Sequence, residues 1–303
     1  MTTPPPSALH AIPFICPLDG LPLAPEVGSL ICANRHSFDI SASGYINLLP
    51  VQYKKSRDPG DSKSMVTARR QVLDAGLFDP LADVLCEVVG SEITGSGREA
   101  TGQTGTGEDE QPLLVDAGCG EGFYTARLAA HLQDNLKERA PKALGVDISK
   151  WAVMAAAKRH KNIAWVVASN KRLPLLQGAP KVITSLFGFE TWPDWAQLQN
   201  AGQSVIVVDA GPRHLIELRE IIYPTLQVHE PPVHEGATAN SYELVSETST
   251  RFEQTVHDAD LLIDLLEMTP HGRKSGAEAR DRVKARESLS LSFDAVIRTF
   301  RHR

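Results

Sequence analysis

The sequence predicts an α/β protein, with a mostly parallel sheet covered by helices on both faces and a small β module in front of it. Three observations predict this fold. Strand and helix patterns alternate from residue 112 onward, which is typical of a mostly parallel sheet. An apolar run at 113–117 leads into a glycine-rich turn, as at the first strand–helix junction of many such sheets. Short apolar runs around two Cys-containing turns indicate a separate unit over 14–50.

The composition describes a protein that folds around a sizeable core. The chain has 303 residues, of which 42% are hydrophobic, enough for one large or two modest domains. No apolar run approaches the roughly 20 residues of a membrane span. The N-terminus lacks the basic and apolar regions of a secretory signal, and four cysteines do not suggest a disulfide framework. We therefore expect a cytoplasmic protein.

Charge is distributed unevenly along the chain. The formal net charge is −6, which argues against general affinity for nucleic acid. Residues 1–70, however, carry seven Lys and Arg against five Asp and Glu, and residues 271–303 carry nine against four. Basic ends thus flank an acidic centre. Local basic surface decides nucleic-acid binding, but such charges also keep ends soluble, so charge alone leaves both interpretations open.

Composition and periodicity divide the chain into five segments. These are a Pro-rich disordered tail over 1–13, a compact β module over 14–50, a basic connection and helical linker over 51–90, a flexible Gly-rich loop over 91–111, and an α/β domain over 112–303. In the linker, apolar residues recur at helical spacing over 62–89, with Gly76 as a potential interruption.

The α/β domain shows its elements in order. Strands are predicted at 113–116, 143–149, 163–168, 182–186 and 204–209, and antiparallel edge strands at 242–248 and 289–297. Helices are predicted at 121–134, 150–160, 212–222 and 259–268.

The turn after the first strand is the strongest functional signal. Gly118, Gly120 and Gly122 allow positive φ and close approach of a ligand. Their G-x-G-x-G spacing is not the G-x-G-x-x-G of dinucleotide sites, and the nearby Asp116 and Glu121 disfavour a phosphate and favour a cation. A nicotinamide dehydrogenase is therefore disfavoured. The pattern resembles the first motif of the class I S-adenosylmethionine (SAM)-dependent methyltransferases, whose cofactor carries an ammonium and a sulfonium.

The next two strand ends carry matching chemistry. Asp147 ends the second strand, at the distance from the glycines where a carboxylate holds ribose hydroxyls. Ser169 and Asn170 follow the third strand and could hydrogen-bond an adenine edge. The predicted cofactor site is completed by Asp116 at the ammonium, the three glycines at the methionine end, and Tyr124.

The N-terminal module has the spacing of a metal site. Cys16-x2-Asp19 and Cys32-x3-His36 resemble the two turns of a zinc ribbon, and so small a unit would struggle to fold alone. Asp19 stands where a second cysteine is expected. The sequence thus favours bound Zn²⁺ on these four residues, with loss of the metal and stabilisation by packing as the alternative.

Several strings together resemble one family, the bacterial 23S rRNA (guanine-N1)-methyltransferases. They are Cys16-Pro17-Leu18, Gly44-Tyr45, Ser56-Arg57-Asp58-Pro59-Gly60-Asp61, Ala68-Arg69-Arg70, Gly211-Pro212-Arg213-His214-Leu215 and Met268-Thr269-Pro270. The resemblance implies a class I (Rossmann-like) SAM-methyltransferase sheet with helices on both faces, plus a zinc-ribbon-like module that helps to bind a hairpin of large-subunit ribosomal RNA. It further implies methyl transfer to N1 of one guanine, and a homodimer.

Two positions depart from that family. Asp19 replaces the second metal-site cysteine, and residues 186–192 differ where the target base should meet the cofactor.

Transfer to guanine N1 requires in-line geometry, removal of one proton, and an unstacked base. The candidate proton acceptors follow the fourth and fifth strands and are Glu190, Asp209 and His214. The candidate RNA phosphate contacts are Lys54, Lys55, Arg57, Arg69 and Arg70. Any one of these could instead be a surface charge. A small-molecule methyltransferase and a non-catalytic RNA-binding or assembly factor remain alternatives.

Overall fold

The computed structural model describes residues 8–54, 56–95, 111–226, 228 and 230–303. The strands are β1 (Ala24–Glu26), β2 (Ser29–Ile31), β3 (Ser37–Asp39), β4 (Tyr45–Asn47), β5 (Leu113–Ala117), β6 (Lys142–Asp147), β7 (Ala164–Val167), β8 (Pro180–Leu186), β9 (Ser204–Ala210), β10 (Tyr242–Val256) and β11 (Leu289–His302). The helices are α1 (Lys63–Asp74), α2 (Asp79–Gly95), α3 (Phe123–Leu136), α4 (Lys150–Arg159), α5 (Trp192–Leu198), α6 (Ile216–Ile222), α7 (Glu235–Ala239), α8 (Ala259–Glu267), α9 (Pro270–Lys274) and α10 (Ala277–Lys284).

The central sheet has the order β10-β11-β9-β8-β5-β6-β7-β4. Strands β4 to β9 within it pair in parallel, and β11 pairs antiparallel with both β9 and β10. The strand order reverses at β5, because β6 and β7 follow on one side of it and β8 and β9 follow on the other. Such a switch point opens a crevice at the carboxyl ends of the strands. The predicted α/β sheet with an antiparallel edge is confirmed.

Both faces of the sheet are covered, because neighbouring residues along its strands belong to different apolar clusters. Leu114 of β5 packs with residues of α2, α3 and α8, whereas Val115 packs with the N-terminal segment and α5. Successive side chains along a strand point to opposite faces of the sheet, and this alternation produces the division. None of the helices in the described part of the chain is long and apolar enough to cross a membrane.

The predicted N-terminal module contributes strands to two sheets. Strands β1, β2 and β3 form their own antiparallel sheet, but β4 pairs in parallel with β7 and extends the central sheet. The last strand of the predicted module over 14–50 is therefore also an edge strand of the central sheet. The two units share a core in which Phe14, Leu30 and Ile46 are buried.

Part of the predicted disordered tail is ordered. Residues Ala8–Ala11 form a 3-10 helix, and Leu9 and Ile12 are buried in the same core. The prediction was wrong for 8–13 because two apolar residues dock on the sheet despite the Pro-rich surroundings; residues 1–7 lie outside the described part.

The linker forms two helices. Helix α1 ends at Asp74, and Gly76 adopts φ 78°, so the interruption expected there occurs. Helix α2 then runs to Gly95, beyond the predicted end of the linker at 90. The remainder of the predicted loop, 96–110, lies outside the described residues.

The helix predicted at 212–222 begins only at Ile216. Gly211 and Arg213 donate backbone hydrogen bonds to the carbonyl and carboxylate of Asp294, and Leu215 takes φ 50°. These contacts with β11 hold the segment in a turn that helical periodicity alone does not reveal.

Candidate active site

A cavity of ≈ 2160 Å³ opens at the carboxyl ends of the parallel strands. Its wall contains the glycine turn after β5, Asp147 at the end of β6, Asn170 after β7, and Asp209 of β9. Pockets for single small molecules usually measure about 300–1,000 Å³. The cavity therefore has room for a nucleoside cofactor together with a second ligand.

The glycine turn has positive φ at three positions, a conformation that favours glycine. Gly118, Gly120 and Gly122 have φ of 96°, 56° and 89°. A Cβ on Gly122 would lie 2.6 Å from the Trp165 ring and 2.9 Å from the Ala156 Cβ. The turn thus lets α3 approach the sheet closely while its backbone lines the cavity.

Asp147 fixes the turn from the neighbouring strand. Its Oδ2 accepts a hydrogen bond from the Gly120 N–H at 3.0 Å, and its Oδ1 accepts one from the Ser149 N–H at 2.7 Å. Burial raises the pKa of this carboxyl above its ordinary value. Asp147 remains part of the cavity wall, where a ribose could reach it.

Asp116 lies deeper beneath the turn. Its oxygens accept hydrogen bonds from the hydroxyls of Thr125 at 2.5 Å and Thr184 at 3.1 Å. Burial, with the nearby Asp147 charge, raises its pKa to about 6. The carboxyl contributes to the wall, but both oxygens already have partners; its contact with an ammonium stays a prediction.

Glu121 is a third carboxyl at this turn and is buried, although the sequence indicates only that its charge lies near the glycines. Its Oε2 accepts from Arg159 at 3.1 Å, whereas its Oε1 is buried without a hydrogen-bond partner among the described residues. Burial raises its pKa to about 7. Three carboxyls crowded at one turn favour a cationic ligand, so the site fits the sulfonium and ammonium of SAM.

These carboxyls predict how the stability of the ligand-free protein depends on pH. Because the folded-state pKa of Glu121 lies above its ordinary value, folding favours the neutral form. The neutral Glu121 carboxyl therefore contributes its full stabilisation of the folded state below about pH 4.5. This contribution is lost as the pH rises through about 7. We expect Glu121→Gln to raise the free energy of unfolding at pH 8 by roughly 2 kcal/mol. Urea denaturation at pH 5 and pH 8 measures this; an equal effect at both values would contradict the assignment.

The predicted adenine end lies across the cavity. Ser169 accepts a hydrogen bond from the Lys171 N–H, and the Asn170 carbonyl accepts one from the Thr191 hydroxyl. Both residues line the cavity, as does Tyr124, whose pKa is raised by burial. Seven of the eight predicted cofactor residues therefore line one cavity, and the eighth, Gly122, lies in the same turn against Trp165. The individual roles of these residues stay predictions.

The three predicted proton acceptors separate into two groups. His214 is half-buried among aromatic rings, its Nδ1 accepts a hydrogen bond from the Asp294 N–H at 3.3 Å, and desolvation lowers its pKa to about 4. Glu190 and Asp209 instead flank His234. His234 is not predictable from the sequence as a site residue, because it follows a stretch with no strand or helix periodicity.

The predicted RNA contacts are also dispersed. Arg57 and Arg70 are exposed and Lys54 is half-buried, while Lys55 lies outside the described residues. Arg69 lies inside the cavity, where its Nη1 is 2.6 Å from Asp61 Oδ2 and beside Gly120. Its proposed phosphate contact stays a prediction, although its position favours a role at the cofactor turn.

The N-terminal module brings its four predicted ligands together. Cys16, Asp19, Cys32 and His36 each offer an atom within 4.8 Å of all the others. His36 Nδ1 lies 3.4 Å from Cys16 Sγ, 3.5 Å from Cys32 Sγ and 3.0 Å from Asp19 Oδ2. Ligands around a tetrahedral zinc at 2.0–2.3 Å are separated by about 3.5 Å. The four residues therefore fit Zn²⁺, with Asp19 supplying an oxygen.

The substitution at Asp19 predicts a measurable difference in zinc affinity. A thiolate binds zinc more strongly than a carboxylate, and the site folds with its metal. We expect Asp19→Cys to raise zinc affinity at least tenfold and Asp19→Ala to lower it by a similar factor. Chelator competition measures both. Cys86→Ala removes a buried thiol elsewhere and should leave zinc affinity unchanged. If both Asp19 variants also kept the wild-type zinc affinity, Asp19 would be excluded as a ligand.

Comparison with known proteins agrees with both halves of this geometry. Residues 14–57 match the family model of the RlmA N-terminal zinc ribbon, and residues 114–209 match a methyltransferase domain.

Three curated relatives extend the comparison. A Bacillus subtilis (strain 168) protein, assigned by name to the 23S rRNA (guanine-N(1)-)-methyltransferases, is 29% identical over 94% of this chain and 95% of its own length. A Micromonospora griseorubida protein assigned to the same activity is 32% identical over 67% of each chain. The 23S rRNA (guanine(748)-N(1))-methyltransferase of Streptomyces fradiae is 32% identical over 67% of this chain and 65% of its own. The chain therefore belongs to the 23S rRNA (guanine-N1)-methyltransferase family.

Proposed function

We propose that the protein transfers a methyl group from SAM to N1 of a guanine in a hairpin of 23S rRNA. One observation carries this proposal: the zinc module and the cofactor turn line the same cavity. Cys16 and Leu18 of the module lie on one wall, and Gly120 and Asp147 lie on another. An RNA loop held by the module would thus lie beside the methyl donor.

The chain's own residues account for cofactor binding. The Gly118–Gly122 turn holds the methionine end, Asp116 and Glu121 face its positive charges, Asp147 takes the ribose hydroxyls, and Ser169 with Asn170 holds the adenine. When bound, SAM supplies an electrophilic methyl group. The turn and the ribose contact orient it so that the nucleophile can attack in line.

Exposed aromatic side chains support an RNA substrate. Phe189 is 88% exposed and Phe187 43% exposed, and both line the cavity just after β8. Phe187 also has φ 50°, an uncommon conformation for a bulky residue. Across the cavity, the Arg172 guanidinium lies 4.6 Å from the centre of the Tyr53 ring. Unpaired bases stack on such surfaces.

Removal of one aromatic ring should weaken RNA binding. Stacking contributes about 1–3 kcal/mol per base, so we expect Phe189→Ala to raise the KM for RNA about tenfold and to leave SAM affinity unchanged. Leu244→Ala, at an exposed apolar residue of β10 that does not line the cavity, is the matched control. Equal KM values for Phe189→Ala and the wild type would remove Phe189 from the RNA site.

The direct test is incubation with tritiated SAM and 23S rRNA that lacks the modification. The proposal expects label on N1 of one guanine; absence of label with folded, cofactor-binding protein would overturn it. Charge reversal at Arg57 and Arg70 separates RNA from small-molecule substrates, because only RNA methylation should fall. The proposal includes a homodimer, tested by sedimentation, and action in the cytoplasm, where ribosomal RNA is modified.

A further inference from the structure

A buried histidine behind the cavity wall lies between two carboxylates. His234 Nε2 is 2.7 Å from Asp209 Oδ2, and His234 Nδ1 is 3.8 Å from Glu190 Oε1. The His234 side chain is 1% exposed, whereas that of Glu190 is 23% exposed. Trp192 and Phe300 pack against the imidazole, with ring centres 5.8 and 5.5 Å away. Three ionisable groups thus share an almost dry site.

The arrangement suits proton transfer better than metal binding. Asp209 is close to one nitrogen of the ring at 2.7 Å, whereas Glu190 is 3.8 Å from the other nitrogen. One oxygen of each carboxylate and one His234 nitrogen lie within 4.8 Å of one another, so the charge around them decides between a proton and a metal ion. Arg298 Nη1 also lies 3.3 Å from the Asp209 Oδ2 that His234 contacts. That guanidinium already neutralises the oxygen and would repel a cation.

The backbone at His234 is held in an unfavourable conformation. His234 has φ 56°, and Arg298 Nη1 donates to the neighbouring Pro232 carbonyl at 3.0 Å while its Nε donates to Glu247. Residues in this region persist only where surrounding contacts impose them, and they cluster at functional sites. The contacts from β11 thus fix the imidazole against Asp209.

We propose that Asp209 receives the proton of the reacting ring nitrogen, and that His234 and Arg298 are positioning residues that hold its carboxylate. Asp209 lies next to the carboxyl-terminal residue of β9 and lines the cavity with Ala210 and Gly211. Its Oδ2 is taken by His234 and Arg298, and no described residue donates a hydrogen bond to its Oδ1. That oxygen is therefore free to accept a proton. This inference rests on the proposed guanine-N1 methylation.

The step balances in protons and electrons. The N1–H proton passes to Asp209 Oδ1, the N1 electron pair forms a bond to the methyl carbon, and the carbon–sulfur bond breaks with its pair remaining on sulfur. The sulfonium charge and the carboxylate charge disappear together. Positioned acceptors of this kind contribute about 10²–10⁴ in rate.

The test compares single-turnover methylation rates at saturating RNA and SAM. We expect Asp209→Asn to lower the rate at least 100-fold at pH 7, with the affinity for S-adenosylhomocysteine (SAH) changed less than twofold. The loss should shrink as the pH rises, since N1 then ionises without an acceptor. Glu243→Gln, which neutralises an exposed carboxylate on β10, two strands away from β9, is the control and should keep the wild-type rate.

Two matched variants separate positioning from packing at His234. His234→Gln and His234→Met place similar side chains on the same strained backbone, but only the amide can donate to Asp209. We expect the methylation rate of His234→Met to be at least tenfold lower than that of His234→Gln. Glu190 lies farther from His234 than Asp209 does, so we expect Glu190→Gln to lower the methylation rate less than tenfold.

The outcomes distinguish this inference from the function on which it rests. A wild-type protein that leaves N1 of guanine unmethylated contradicts the proposed function. A wild type that methylates it, with Asp209→Asn within threefold of its rate, overturns the inference alone. A large loss in Asp209→Asn that does not vary with pH also overturns it, because it would show a purely structural role.

Discussion

Asp147→Ala should raise the Kd for SAH at least 100-fold. The Asp147 carboxylate accepts hydrogen bonds from the Gly120 N–H at 3.0 Å and the Ser149 N–H at 2.7 Å, so it fixes the turn. We propose that it also binds the ribose hydroxyls. Hydrogen bonds to charged groups contribute about 1.5–3 kcal/mol each. The variant should lose both the proposed ribose contact and the hydrogen bonds that hold the turn, and these two losses together account for the expected rise in Kd. Isothermal titration calorimetry measures it directly.

The control for Asp147 is an exposed carboxylate on the helix after the turn. Asp134→Ala on α3 changes the net charge equally and should leave the Kd for SAH within twofold. Circular dichroism of both variants reports whether the fold is intact. Unchanged affinity in a folded Asp147→Ala protein would mean that the cofactor lies elsewhere.

Gly145→Ala should destabilise the protein by at least about 3 kcal/mol, at the upper end of the cost of overpacking a core. A Cβ at Gly145 would lie 2.2 and 2.3 Å from two ring atoms of Trp165 and 3.0 Å from Cys119 Sγ. Trp165 is fully buried, and its Nε1 donates to the His160 carbonyl at 2.8 Å, so the ring cannot move freely. Urea denaturation gives the free energy of unfolding.

The same substitution should also weaken cofactor binding, since the Trp165 ring already lies against Gly122. Gly95→Ala, where an added Cβ has no neighbour within 4 Å, is the matched control and should change stability little. Combining Gly145→Ala with Trp165→Leu should cost less than the sum of the two single changes, because the smaller side chain makes room. Additive costs would contradict a clash at this contact.

Elements that depend on local sequence could be predicted well. The glycine turn, Asp147 and Ser169 stand at strand ends, and parallel strands bring those ends to one edge of the sheet. The zinc ligands also follow from spacing within two short turns. These signals are readable because the chemistry and the local backbone conformation are set by residues close together in the chain.

Features that depend on distant contacts could not be predicted. Strand β4 joins the central sheet through pairing with β7, more than a hundred residues later. His234 reaches Asp209 because Arg298 on β11 anchors its loop. Leu9 and Ile12 become ordered only by docking on the core. None of these contacts leaves a periodic pattern in the segment concerned.

Mass mapping of modified nucleotides in the large-subunit RNA of a strain lacking this protein tests the central claim most directly. Our account predicts that one guanine loses its N1 methyl group and regains it when the wild-type chain, but not Asp147→Ala, is restored. An unchanged set of 23S rRNA modifications in the deletion strain would contradict it.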